Sequence, residues 1–235
     1  PTRNGAGRVG LIDGGVDRRH AALRRADVHA WGCDGREIAS EHGTAVASLL
    51  VGNDRPFHGV AGATLYAADV YCDQPAGGAA EDIARALAWM ARERVPVINI
   101  SLVGPANRLL ERAVLALVKR GHLLVAAVGN DGPAAPPLFP ASYAGVIGVT
   151  AVNPNRRVLP EAAQGPQVLL TAPGADMAVA RSGGGYGIAR GTSFAAPLVA
   201  GLLAAELREP DAAAAAAAVE RLAASAVDLG VPGRD

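Results

Sequence analysis

A serine at the mouth of an apolar helix is well placed to act as a nucleophile, and the stretch Arg190–Gly201 offers one. Gly191-Thr192 forms a small-residue turn, and Ser193 opens the run Phe194-Ala195-Ala196. Backbone N–H groups in a first helical turn have no partner within the helix, and the helix dipole there favours negative charge. A hydroxyl at that point could be activated and the oxyanion formed beside it stabilised. The plainer alternative is that Thr192 or Ser193 only caps the helix. Pro197 inside the same helix is unusual for a simple cap, because it removes a backbone donor.

A serine nucleophile needs a base, a carboxylate that orients the base, and donors for the oxyanion. Asp13, His42 and Ser193 supply the types in that chain order, 29 and 151 positions apart. Asp13 closes the apolar run Val9–Ile12 at Gly14-Gly15. It is either a turn cap or a carboxylate at the carboxyl edge of a parallel sheet, where open α/β sheets place their sites. His42 enters a helix that runs to Leu50. The small residues Gly43, Thr44 and Ala45 behind it leave its ring accessible, although a lone histidine at a helix start is more often structural than catalytic. Asn130 sits in the turn Gly129-Asn130-Asp131-Gly132, where its side-chain amide could donate to an oxyanion.

These residues need a scaffold, and the hydrophobic pattern provides one. Apolar runs at 8–13, 65–71, 97–102, 123–128, 146–152 and 168–174 read as buried strands. Helical segments are expected at 41–50, 80–94, 108–120, 192–207 and 211–224. The run Ala212–Ala218 carries strong helix propensity and little packing information. Buried strands alternating with helices indicate a parallel sheet with helices on both faces, an α/β fold. No internal repeat or linker divides the 235 residues, so one domain is expected. Asp17-Arg18-Arg19-His20 reads as a solvated turn.

With Asp13, His42, Asn130 and Ser193 in place, the chain resembles a subtilisin-type serine peptidase. The resemblance rests on Val9–Gly15, His42–Ala47, Val97–Pro105, Val125–Gly132 and Gly191–Gly201, with weaker support from Gly59–Val70 and Phe139–Val152. It implies that Asp13 orients the imidazole, that His42 is general base and then acid, and that Ser193 is the nucleophile. Asn130 and the Ser193 N–H would form the oxyanion hole. It also implies a substrate cleft along Ser101-Leu102-Val103 and Ala127-Val128-Gly129, where an extended peptide would pair through its backbone.

The sequence departs from the family pattern in several places. Ala45 stands where a second histidine is usual, and Gly14 where serine or threonine is common. Val103 replaces a usual glycine in the wall of the primary specificity pocket, and Leu138 aligns with a usually small residue at its base. These bulkier side chains are expected to shrink the pocket and favour a small P1 residue such as alanine, unless the loop carrying Leu138 shifts aside. Family members often bind calcium through loops. The loop 52–58 is short and poor in oxygen ligands, whereas calcium takes about six or more, so no metal site is expected there.

Composition narrows the partners. A formal net charge of zero, with no basic run, argues against nucleic acid. No apolar run has the length of a membrane span. Gly183-Gly184-Gly185 lacks the spacing and setting of a dinucleotide-binding loop. The resemblance implies a protein or peptide substrate and chemistry that needs no cofactor. It further implies a catalytic domain excised from a longer precursor, with its own pro-segment as a folding partner. Cys33 and Cys72 are the two cysteines, and form either one disulfide or two unrelated thiols. The family and the potential disulfide favour a secreted or otherwise extracytoplasmic location. A catalytically silent peptide-binding module of the same fold is the competing reading.

Overall fold

The computed structural model describes residues 7–36, 38–54, 59–60, 62–74 and 78–229. Its centre is a sheet of seven parallel strands: β1 (Arg8–Asp13), β2 (Asp27–Trp31), β3 (Thr64–Asp69), β4 (Val97–Ile100), β5 (Leu123–Ala127), β6 (Val146–Val152) and β7 (Val168–Pro173). They lie in the order β2-β3-β1-β4-β5-β6-β7. Strands β1, β4, β5 and β6 are almost wholly buried, which is why they read as continuous apolar runs.

Two apolar layers cover the sheet. On one face pack α1 (Glu41–Val51), α4 (Thr192–Glu206) and α5 (Ala212–Ser225), through residues such as Val46, Leu50, Val199 and Leu203. On the other lie α2 (Ala80–Arg92) and α3 (Arg108–Lys119), through Ile83, Leu87, Met90, Leu110, Val114 and Leu117. Three helices start on side-chain caps. Ser40 accepts from Gly43 N–H, Asn107 from Leu109 and Leu110, and Asp211 from Ala214. In the alanine run only Ala215 and Ala218 are buried, so α5 meets α4 on a narrow stripe.

Three strands lie outside the apolar-run pattern. β2 is the sheet edge, and its sequence Asp-Val-His-Ala-Trp alternates instead of running apolar. β8 (Met177–Ala180) and β9 (Tyr186–Ala189) form a separate antiparallel hairpin turned by Gly183-Gly184-Gly185, all three with positive φ. The hairpin corrects the reading of 17–20 as a solvated turn. His20 is buried and its Nε2 meets the Gly185 carbonyl at 2.8 Å, while Asp17 accepts from Gly183 N–H at 3.0 Å.

From β1 the chain goes to β2 and β3 on one side and then crosses from β3 to β4 on the other, so the crevice between the ends of β1 and β4 is the switch point of the sheet. Ligands of open α/β sheets bind at such a point. Asp13 ends β1 there and Ser101 follows β4.

Candidate active site

Asp13 is 2% exposed at the end of β1. Its carboxylate accepts from Gly14 N–H at 2.6 Å and faces His42 Nδ1 with both oxygens, at 2.8 and 2.9 Å. A carboxylate only accepts, so Nδ1 carries the proton and Nε2 keeps its lone pair for use as a base. Burial lowers the His42 pKa, but the charge of Asp13 and its hydrogen bond outweigh that, and the net position lies above the ordinary 6.5. The ring is 43% exposed, consistent with the small residues behind it.

Backbone proximity explains the glycines here. A Cβ on Gly43 would land on the Gly14 carbonyl oxygen. A Cβ on Gly14 would land on the side chain of Ser40, the residue that caps α1. A glycine at position 14 therefore leaves Ser40 the space that a side chain there would need.

Neither Thr192 nor Ser193 caps α4. The cap position is Gly191, at φ 132°, and no side chain bonds there. Thr192 instead ties the Ser193 turn to the Gly129–Gly132 turn. Its Oγ1 accepts from Gly129 N–H at 3.2 Å, and its N–H donates to Asn130 Oδ1 at 3.0 Å. A backbone N–H can only donate, so this bond identifies Oδ1 and leaves the Asn130 Nδ2 donor for the cleft.

The Ser193 hydroxyl donates to the Ser101 carbonyl at 3.4 Å, and Ser101 Oγ donates to the Ser193 carbonyl at 3.1 Å. Buried Asn99 supports this exchange by donating from Nδ2 to Ser101 Oγ at 2.8 Å. His42 and Ser193 line the same cleft, but the serine hydroxyl points to Ser101. Catalytic hydrogen bonds often tighten only when substrate is bound, and rotation about one side-chain bond redirects this hydroxyl. Asn99 and Thr192 were not among the candidate residues. Asn99 could have been flagged as the one polar residue within the apolar run Val97–Ile100.

The cleft encloses about 610 Å³. One wall is Ser101, Leu102 and Val103, with Ala127 and Gly129 beyond. The Val128 side chain does not line it: it is fully buried, and the Val128 N–H is taken by the Val149 carbonyl. Leu138 also lies outside the cleft lining. Its Cδ1 stands 2.5 Å from where a Cβ on Gly129 would be, with Val103 Cγ1 at 3.7 Å from the same point. The two bulky residues therefore flank Gly129, and Gly104 and Phe139 join their loops by paired backbone bonds of 2.8 and 2.9 Å.

The opposite wall carries Tyr71, Cys72, Asp73 and Gln74. Cys72 is disulfide-bonded to Cys33, which resolves the two open readings of the cysteines. Cys33, Asp69 and Cys72 are the one group among the described residues with donor atoms close enough for a metal, but the sulfurs are committed to each other. The loop 52–58, where no calcium site is expected, lies partly outside the described residues, as does the segment after 229.

The sequence profile of the Subtilase family matches residues 6–234. The chain is 32% identical over 233 residues to subtilisin E of Bacillus subtilis (strain 168), covering 95% of this chain and 61% of that protein. It is 31% identical over 199 residues to the minor extracellular protease Epr of the same organism, covering 83% of this chain and 30% of Epr. It thus spans less than two thirds of either relative. A mutant of the protease domain of PatA superposes with a TM-score of 0.83 at 29% identity, covering 97% of this chain and 91% of that one.

Proposed function

The chain belongs to the subtilase family, and from that premise we propose that it is a serine endopeptidase working through an acyl-enzyme. The observation that carries the reading is the two-oxygen grip of buried Asp13 on His42 Nδ1, in a cleft that also holds Ser193 and Asn130.

The steps follow from the positions. An extended substrate lies between the Ser101–Val103 and Ala127–Gly129 segments, aligned by backbone pairing along the Ser101–Val103 side. The Ser193 hydroxyl turns from the Ser101 carbonyl towards His42, whose Nε2 takes the proton as Oγ attacks the scissile carbonyl. Negative charge collects on the former carbonyl oxygen, where Asn130 Nδ2 and the Ser193 N–H donate to it. His42 then gives its proton to the leaving amine, and Asp13 stabilises the imidazolium between these transfers. Water attacks the acyl-enzyme by the same route, with no cofactor required.

Val103 in the cleft wall, with Leu138 packed beside Gly129, supports a preference for a small P1 residue. Peptides with Ala, Leu, Phe and Lys at P1 test this, and a preference for Phe contradicts it. An extracytoplasmic setting is supported by the extracellular relative and by the Cys33–Cys72 disulfide.

The first experiment is labelling with a fluorophosphonate. Label on the wild-type chain that disappears in Ser193→Ala and His42→Ala establishes an activated serine. A folded chain that takes no label favours the silent peptide-binding module.

A further inference from the structure

We propose that Arg190 and Glu161 form a positioning clamp for the oxyanion hole, holding the loop of Asn130 against the loop that delivers Ser193. The proposal rests on the serine-peptidase reading above and deepens it.

Arg190 grips Glu161 with two parallel bonds, Nε to Oε1 at 2.5 Å and Nη2 to Oε2 at 3.1 Å. A two-point guanidinium–carboxylate contact fixes orientation as well as distance. The backbone of the Glu161 segment holds both ends of the Asn130 turn. The Glu161 carbonyl accepts from Gly132 N–H at 2.8 Å, and Ala163 N–H donates to the Gly129 carbonyl at 3.0 Å. Arg190 in turn leads directly into Gly191-Thr192-Ser193, whose Thr192 N–H holds Asn130 Oδ1.

Three loops therefore form a closed ring. Thr192 joins the nucleophile loop to the Asn130 turn, backbone bonds join that turn to the Glu161 segment, and the ion pair closes the circuit. The ring is tight at its centre. The bond from Thr192 N–H to Asn130 Oδ1 at 3.0 Å sits at that centre, so a shift of the nucleophile loop pulls on the Asn130 amide. Oxyanion donors act over a few tenths of an ångström, and small misplacements cost rate far more than stability. The pair itself is half-exposed, with side chains 48% and 34% accessible, so it adds little to global stability.

The test is kcat and KM on a chromogenic peptide anilide with alanine at P1. Arg190→Ala, Glu161→Ala, both together, and the swap of Arg190→Glu with Glu161→Arg are compared in wild-type and Asn130→Ala backgrounds. Each single change is expected to lower kcat about 5- to 20-fold, with KM within about twofold. The melting temperature should stay within about 2 °C. The double change should be no worse than either single change, and the swap should recover rate. Arg190→Lys, which keeps the charge but loses the fork, should fall between. In the Asn130→Ala background the same changes should cost less than about twofold, because the donor they position is gone.

Single variants that keep wild-type kcat overturn the clamp, as do losses confined to KM. So does a full loss that persists without Asn130. A rate that survives Glu161→Ala but not Arg190→Ala also overturns it, since the guanidinium would then act on the oxyanion directly. Fluorophosphonate labelling separates the two levels. A wild-type chain that labels while all variants keep full kcat overturns the clamp alone, and a wild-type chain that does not label overturns the peptidase reading and the clamp together.

Discussion

Both carboxylate oxygens of Asp13 lie within hydrogen-bonding distance of His42 Nδ1, at 2.8 and 2.9 Å. One oxygen also accepts from Gly14 N–H, so the carboxylate is anchored before it meets the ring. Asp13 is buried and His42 is half-exposed, a pairing in which the charge of one sets the protonation of the other.

That pairing predicts the acid limb of the rate profile. Burial alone would lower the His42 pKa, and Asp13 raises it past the ordinary 6.5. The base works when neutral, so kcat/KM should fall as pH drops through a value above 6.5. Asp13→Asn removes both raising influences and leaves burial, so its residual activity should titrate lower. The stability effect has the opposite sense. A raised histidine pKa stabilises the fold fully below the unfolded value, and that contribution is lost as pH rises through the folded one. Titration of His42 by NMR in the Ser193→Ala chain checks the direction, and a value below 6.5 contradicts it.

Asn130→Ala should lower kcat by roughly 10²- to 10³-fold with little change in KM, the usual cost of one oxyanion donor. Fluorophosphonate labelling should slow without being abolished, because Asp13, His42 and Ser193 remain. Thr192→Val should reproduce part of this loss, since it removes the acceptor for Gly129 N–H at 3.2 Å. Thr192→Ser keeps the hydroxyl and should retain most of the rate. If Val and Ser behave alike, the threonine hydroxyl does not hold the turn.

Gly14 and Ser40 should be coupled. A Cβ on Gly14 collides with the Ser40 side chain, so Gly14→Ala should destabilise the chain by about 1–3 kcal/mol through overpacking beside Asp13. Ser40→Gly opens the space but removes the α1 cap, at a cost of a few tenths of a kcal/mol for glycine in that role. The pair Gly14→Ala with Ser40→Gly should therefore melt higher than Gly14→Ala alone. Additive losses in a thermal melt would mean that the strain lies elsewhere.

Much of this architecture was legible because buried parallel strands and helix caps leave local marks. Val9–Ile12, Val97–Ile100 and Leu123–Ala127 are apolar because both faces are covered, and Asn107 and Asp211 stand at the helix starts. β2 was not legible, because an edge strand need not be apolar. The role of His20 was not legible either: its partner Gly185 lies 165 positions away, and only folding brings them together. The inward turn of the Val128 side chain was not legible from the resemblance. It stands between two cleft residues, but strand alternation turns its side chain into the core beside Gly148. Thr192 and Asn99 serve the site through hydrogen bonds to Asn130 and Ser101, which no local spacing encodes.

The Cys33–Cys72 bond predicts a redox effect on binding rather than on chemistry. It ties the turn after β2 to the loop leaving β3, and Cys72 with Tyr71 and Asp73 forms the cleft wall opposite Ser101–Val103. Local bonds also shape that loop: Asp69 accepts from Tyr71 N–H at 2.9 Å and from Cys72 N–H at 3.0 Å. The Arg36–Asp73 ion pair runs beside the disulfide at 3.5 Å, but both side chains are exposed and it can replace little of the tether. Losing such a crosslink typically costs about 2–4 kcal/mol. For a chain of this size that corresponds to about 4–16 °C in Tm. Paired Cys33→Ser and Cys72→Ser substitution should lower Tm in that range and raise KM more than it lowers kcat. The reason is that His42, Ser193 and Asn130 lie on elements the disulfide does not join, and Asp13 is held by its own strand and by the Gly14 N–H. Reductant should do the same to the wild-type chain and nothing to the double variant. A fall confined to kcat would place the effect of the crosslink at the reacting groups instead of the cleft wall.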